Sequence, residues 1–342
     1  MIALALLATL ALDPPTVPAA LPACFPTLRV PAPWPATAVP IELRGSHLLV
    51  SRTTAPQGFG DATGVLDTST GAIVWLTAST PWPQLSTFLL DDIIVFGLQS
   101  SPGIYEMHAH AFGPDGQPGT ADDGSWMIES GAGFISLPDA NDDEVAWLVQ
   151  DPAAGTVELH RCDFRSGTVN PCVPGGPAAF ALPFATGVLM DAHPVGGSNI
   201  LLDRYNSNTL TWVDPTGATS PWRTRRFTDA LGPFVAHWWS IGGTTDIEPA
   251  SQPPSSPWWT VPYAYVELSR AFGSNGGARA IAPSIFPPGP ATVIDLGFGT
   301  YSTTTTSAPE ARSVCVDGDH VAYLDNSVSG FYDVVIDTCV FP

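Results

Sequence analysis

One short pattern recurs along this chain and limits its fold more than any other feature. A polar pair that favours a tight turn is followed at once by a short apolar run. Gly45-Ser46-His47-Leu48-Leu49-Val50 returns as Asp91-Asp92-Ile93-Ile94-Val95-Phe96 and as Asp142-Asp143-Glu144-Val145-Ala146-Trp147. It returns again as Gly197-Ser198-Asn199-Ile200-Leu201-Leu202 and as Gly318-Asp319-His320-Val321-Ala322-Tyr323. Successive copies start 46, 51, 55 and 121 residues apart, and the last gap reads as about two repeats with an insertion. Strands that are apolar nearly throughout are covered on both faces.

A second strand-like run follows most copies: 104–108, 156–162, 209–213 and 331–336. Asp67 to Gly71, Asp163 to Gly167 and Asp214 to Gly217 then supply Asp-led, Gly-ended turns. The unit is strand, turn, strand, hairpin, strand. A period of about 40–55 residues carrying several antiparallel strands is the mark of a β-propeller blade. One blade cannot hide both faces, so blades stack until the ring closes. The length predicts an all-β propeller of about six four-stranded blades over 41–342. The stretch starting at Ile41 and the run 331–336 are the candidates for closing the ring. Two β-sandwich domains are the competing architecture.

The first dozen residues, IALALLATLAL after Met1, form an apolar run too short to span a bilayer. Residues 1–12 read as the apolar part of a secretory signal, without the usual basic residues ahead of it. The Pro- and Ala-rich stretch 13–40 reads as a linker. These segments predict a secreted or periplasmic, cell-envelope protein. The 342 residues hold 32 acids and 12 bases, all Arg, for a formal charge of −20. No basic stripe exists to neutralise phosphates, which argues against a nucleic-acid partner.

Five cysteines suit an oxidising compartment. Cys162 and Cys172 flank turn-forming residues and are expected to pair. Cys315 and Cys339 lie in the last two strand-like stretches and are expected to form a second bridge. Cys24 is then left over, and Leu21-Pro22-Ala23-Cys24 weakly resembles a lipoprotein cleavage site, so a lipid anchor at Cys24 is a minor expectation.

The stretch Asp67-Thr68-Ser69-Thr70-Gly71-Ala72-Ile73-Val74-Trp75-Leu76 resembles repeats of quinoprotein-dehydrogenase-like propellers. Residues 104–124, ending in Gly113-Pro114-Asp115-Gly116-Gln117-Pro118-Gly119-Thr120-Ala121-Asp122-Asp123-Gly124, resemble an insertion of secreted TolB-like propellers. The likeness covers about 45 residues. It implies a fold and no particular activity.

Asp115, Asp122 and Asp123 offer carboxylate oxygens on a Gly-rich loop, which suits calcium; a solvated acidic hairpin is the plainer reading. His108 and His110 project from one strand face at period two, a transition-metal pattern for which Glu106 on the same face is the candidate third ligand; two ordinary edge-strand His residues are the plainer reading. No Gly-x-Ser-x-Gly elbow, phosphate loop or dinucleotide fingerprint occurs, so catalytic residues and cofactors stay unassigned. Trp238-Trp239 and Trp258-Trp259 each predict one core and one exposed ring. Arg223, Arg225 and Arg226 are the only basic cluster and are expected to pair with local acids. The resulting expectation is a monomeric, non-enzymatic scaffold that binds a protein or carbohydrate on one propeller face. The alternative is a polysaccharide lyase or hydrolase-type enzyme working in the central channel.

Overall fold

The computed structural model describes residues 21–31, 37–53, 62–76, 84–101, 103–136, 138–141, 144–165, 171–187, 190–204, 207–231, 234–238, 243–284, 288–297, 300–325 and 332–341. The signal-like segment 1–12 lies outside the described residues. All regular elements among them are strands.

The first strand, β1 (Ala23–Val30), stands apart from the blade that follows it. Blade 1 is β2 (Thr37–Arg44), β3 (His47–Thr53), β4 (Ala62–Asp67) and β5 (Ile73–Trp75). Blade 2 is β6 (Gln84–Leu90), β7 (Ile93–Ser101), β8 (Ile104–Ala111) and β9 (Gly124–Ala132). Blade 3 splits its inner strand into β10 (Phe134–Ile135) and β11 (Asp139–Asn141), followed by β12 (Glu144–Asp151), β13 (Thr156–Asp163) and β14 (Ala178–Leu182). Blade 4 is β15 (Met190–Val195), β16 (Asn199–Arg204), β17 (Thr209–Val213) and β18 (Thr219–Arg223). Blade 5 is β19 (Arg226–Leu231), β20 (Phe234–Trp238), β21 (Thr245–Pro249) and β22 (Trp259–Val261). Blade 6 is β23 (Glu267–Phe272), β24 (Ala278–Ala282), β25 (Thr292–Gly297) and β26 (Thr300–Thr305). Blade 7 is β27 (Ala311–Asp317), β28 (His320–Asp325) and β29 (Asp333–Val340), with β1 as its outer strand.

Every sheet is an antiparallel meander, and the inner strands β2, β6, β11, β15, β19, β23 and β27 touch in that order and back to β2. The ring is therefore a seven-bladed propeller, which corrects the expectation of about six and excludes two sandwiches. The 121-residue interval spans three blade-to-blade steps, because blades 5 and 6 are short. Their turns also differ from the others; Gly273–Gly277 joins β23 to β24 where the recurring polar pair was sought.

The described recurring turns join inner to second strands in blades 1, 2, 4 and 7. Leu48, Leu49 and Val50, Val145 to Leu148, Ile200 to Leu202 and Val321 to Tyr323 are all fully or nearly fully buried. They pack between neighbouring sheets, as in the cluster joining Val95 and Met107 of blade 2 to Val145 and Trp147 of blade 3. The turns led by Asp67 and Asp214 are locked by their own carboxylates, whereas 166–167 of the Asp163 turn lie outside the described residues. Asp67 Oδ1 accepts from Ser69 N (2.7 Å), Ser69 Oγ (2.6 Å) and Thr70 N (2.9 Å), and Ser69 holds its pKa below the usual range. Gly71 closes that turn at φ +75°, a left-handed conformation that favours Gly.

The ring closes through β1, which pairs with β29 from Ala23↔Val340 to Val30↔Val334. The 13–40 stretch, read as linker, thus contains β1 and the start of β2, and the propeller begins before residue 41. Cys24 and Cys339 are register partners joined by a disulfide, with Cα atoms 4.0 Å apart. Cys162–Cys172 forms the second bridge. The expected Cys315–Cys339 bridge is corrected. Cys315 lies on β27, separated from β29 by β28, so its backbone stands about 10 Å away and beyond bonding reach. It is a buried free thiol. The Cys24 sulfur is committed to its disulfide, which corrects the lipid-anchor expectation. Two disulfides suggest an oxidising location. Among the described residues no helix is long and apolar enough to cross a membrane.

Candidate functional site

Ring closure brings the seven inner strands around one axial cavity of about 560 Å³. Its wall carries the carboxylates Glu42, Asp139, Asp191, Asp203, Asp229 and Glu267. Against them stand Arg226, Arg270 and His193, and the aromatic side chains are Phe88, Phe227, Trp238 and Tyr265. A cavity of this size with a few converging polar groups is the usual form of a small-ligand site.

The groups bind each other across blades. His193 Nδ1 donates to Asp139 Oδ2 at 2.6 Å, joining blade 4 to blade 3. Its ring lies parallel to Phe227 of blade 5, with centroids 3.7 Å apart. Arg226 Nε donates to Asp203 Oδ2 at 2.9 Å, and Arg270 Nη2 stands 3.1 Å from Glu42 Oε1. Two acids also cap backbone of the next blade. Glu42 Oε2 accepts from Leu89 N at 2.8 Å, and Asp229 Oδ2 accepts from Leu268 N at 2.6 Å.

Burial dominates the electrostatics. It pushes the Asp229 carboxyl up to about 7, aided by the charge of Asp139 and resisted by Leu268 N and Arg270. Glu267 is pushed well above the usual range by burial, with Asp229 and Glu42 adding to the effect. Asp203 is raised by burial in spite of Arg226. Burial works against a charged His193, but the hydrogen bond and charge of Asp139, with Asp191 and Asp203, outweigh it and raise its pKa. Asp229 can therefore exchange a proton near neutral pH.

The loop carrying Asp115, Asp122 and Asp123 lies elsewhere, between β8 and β9 on blade 2. Thr120 Oγ1 sits among all three, 2.5 Å from Asp122 Oδ1, 3.1 Å from Asp123 Oδ1 and 3.5 Å from Asp115 Oδ1. Asp123 Oδ2 also accepts from Gly119 N at 2.7 Å and from His110 Nε2 at 3.0 Å. His108 and His110 share a face with Glu106, but they are spoken for separately: His108 Nε2 donates to Glu106 at 2.8 Å and stacks on Phe96. Among the described residues no group of three or more His, Cys, Asp or Glu is placed to hold a metal ion.

Trp259 is buried and donates from Nε1 to Gly297 O, whereas Trp258 is 51 % exposed. Trp238 lines the cavity; Trp239 lies outside the described residues. Arg223 pairs with buried Glu248, and Arg226 with Asp203, as local acids were expected to do. Sequence reasoning missed the acids of the cavity and His193. Their signal was slight: a polar residue or an alternating pair such as Asp191-Ala192-His193 in the strand just before a recurring apolar copy.

No family model matches the chain, and no curated protein matches it. Solved structures do. A chain of the mitotic checkpoint complex is similar over 100 % of this chain and 99 % of its own, at 11 % identity and a TM-score of 0.58. The β-propeller domain of the trilobed protease from Pyrococcus furiosus covers 92 % of this chain and 94 % of its own, at 10 % identity and 0.55. Virginiamycin B lyase from Staphylococcus aureus covers 89 % and 95 %, at 10 % identity and 0.54. At such identities the likeness defines the fold, and the class is the β-propeller.

Proposed function

We propose that this chain is an extracytoplasmic binding module whose ligand enters the central channel. The observation that carries the reading is the 560 Å³ cavity to which all seven inner strands contribute charged, polar or apolar side chains. Propellers serve many functions, so the fold alone decides nothing. One similar structure belongs to a multiprotein complex and another is a lyase. The signal-like segment at 1–12, the TolB-like character of 104–124 and a single-chain state belong to the same proposal. So does a calcium ion on Asp115, Asp122 and Asp123, an outlying structural site rather than the ligand pocket.

The test is a thermal-shift screen of peptides and oligosaccharides against the native chain and Tyr265→Ala. Tyr265 lines the cavity and is itself exposed, so its truncation spares the core. Hits that weaken at least tenfold in the variant are expected. Hits indifferent to both Tyr265→Ala and Phe227→Ala would move the site to an outer face and overturn the reading.

One observation favours the enzymatic alternative. Asp229, raised to about 7, shares the cavity with Glu267, also raised, and such groups suit general acid–base work. Incubation with a polysaccharide panel, scored for new reducing or unsaturated ends, tests it. Product formation that vanishes in Asp229→Asn would replace the binding reading with a hydrolase or lyase.

A further inference from the structure

Asp191 on β15 and Asp203 on β16 are direct register partners, and both face the channel. Opposed residues on one face of an antiparallel pair hold their Cβ atoms about 4.5–5.5 Å apart, and like charges there destabilise. Asp191 is 8 % and Asp203 2 % exposed, so water screens neither well. Arg226 Nε donates to Asp203 Oδ2, and the Phe227 backbone N–H and the charge of His193 also favour the Asp203 carboxylate. Asp203 Oδ1 has no hydrogen-bond partner. An uncompensated buried carboxylate oxygen is costly. Local conflicts of this kind concentrate where a ligand resolves them.

The rest of the cavity sets the chemistry of that ligand. Six lining carboxyl groups face two arginines and one histidine, and even with Asp229 and Glu267 protonated the four remaining acids outnumber the three bases. The wall beside the pair is aromatic, with Phe227, Trp238 and Tyr265. It already holds one nitrogenous ring flat against an aromatic face, His193 on Phe227, the placement by which aromatic rings attract cations. A bare metal ion suits the place poorly, because among the described residues no three ligating side chains converge.

We propose that the Asp191–Asp203 side of the channel binds an organic cation, a primary ammonium, amidinium or guanidinium carried on an aromatic or apolar body. The charged head donates to Asp203 Oδ1 and to Asp191. The body lies along Phe227, Trp238 and Tyr265. This assignment rests on the reading of the channel as the ligand site and names the class of ligand it takes.

The test is calorimetry in phosphate, free of competing amines, with benzamidine and phenethylamine as probes and the neutral benzamide and 2-phenylethanol as their controls. The cations are expected to bind at least tenfold tighter than the neutral compounds. Asp203→Asn and Asp191→Asn are each expected to weaken benzamidine at least tenfold. Asp203→Asn also takes a charged partner from Arg226, so a lower melting temperature is expected there than in Asp191→Asn, and a single cooperative melt in each variant shows that the fold survives. Asp115→Asn, on the distant blade 2 loop, is expected to bind as the native chain does. Equal binding of cation and neutral control by the native chain, a comparison that needs no variant, would overturn the proposal. So would native affinity in both channel variants, or no binding of either cation. If the cations fail while the earlier screen yields hits lost in Tyr265→Ala, only the ligand class falls. If neither assay yields a channel-dependent ligand, the channel reading falls with it.

Discussion

Cys24 and Cys339 are bonded across 315 residues of sequence, at the point where β1 becomes the outer strand of the last blade. The link ties the first described strand to the last and turns an open meander of sheets into a covalently closed ring. Cys162–Cys172 spans only 10 residues within blade 3. By loop-closure entropy the long bridge is worth roughly 4–6 kcal/mol and the short one about 3 kcal/mol. Urea denaturation of Cys24→Ser/Cys339→Ser is expected to show the larger loss, with Cys162→Ser/Cys172→Ser the smaller. Equal losses would mean that β1 stays docked by its backbone pairing alone.

The acidic loop of blade 2 makes a separate prediction. Thr120 Oγ1 has one proton, yet Asp122, Asp123, Asp115 and the Gln117 carbonyl all lie within 3.5 Å of it. The surplus of acceptors leaves negative charge that a hard cation would offset. Calcium at a hundredfold excess over its Kd is expected to add about 2.7 kcal/mol and raise Tm by several degrees. Asp122→Asn is expected to abolish the shift. A Tm indifferent to both calcium and a chelator would remove the loop as an ion site.

What was legible in the sequence follows from what repeats locally. The turn-plus-strand copies exposed blades 1 to 4 and 7, because each must make the same bend and bury the same second strand. Blades 5 and 6 were illegible because their turns use other residues, such as the Gly273–Gly277 loop, and that cost one blade in the expected number. The strand β1 was masked by Pro26 and the prolines on either side of it. Pro26 is tolerable there because β1 is an outer strand with one unpaired side, but its partner lies some 300 residues away. The cavity was the least legible. Glu42, Asp139, Asp191, Asp229 and Glu267 come from five different inner strands, and only closure of the ring brings them together. Single acids in apolar strands carry no mark of that convergence.

Asp229 predicts a pH dependence with a definite sign. Its folded pKa, about 7, lies above the ordinary 3.8. The protonated form is therefore favoured in the folded chain, and stability is lost as pH rises from the unfolded value through the folded one. A shift of this size corresponds to a loss on the order of 4 kcal/mol between about pH 4 and pH 8. Glu267 and His193, both raised, act in the same direction. Asp229→Asn is expected to flatten the decline in a series of urea midpoints across that range. An unchanged slope would show that Asp229 ionises as freely in the folded chain as in the unfolded one.

Arg279 tests how neighbouring blades are held. Its side chain is fully buried on β24 of blade 6 and pairs with Asp295 of β25. Nη2 donates to Asp319 Oδ1 of blade 7 at 2.7 Å, and the guanidinium stands 4.5 Å from the Phe341 ring centroid. Removing one partner of a buried pair strands the other charge, which costs about 3–5 kcal/mol. Arg312 offers the contrast: it pairs with Glu310 at 2.7 Å, but its side chain is 49 % exposed. Such surface pairs are worth about 0–1 kcal/mol. Arg279→Ala is therefore expected to lower unfolding stability several-fold more than Arg312→Ala in the same urea series. If the two cost the same, the clamp between blades 6 and 7 is carried by their apolar faces, and the buried guanidinium is incidental to it.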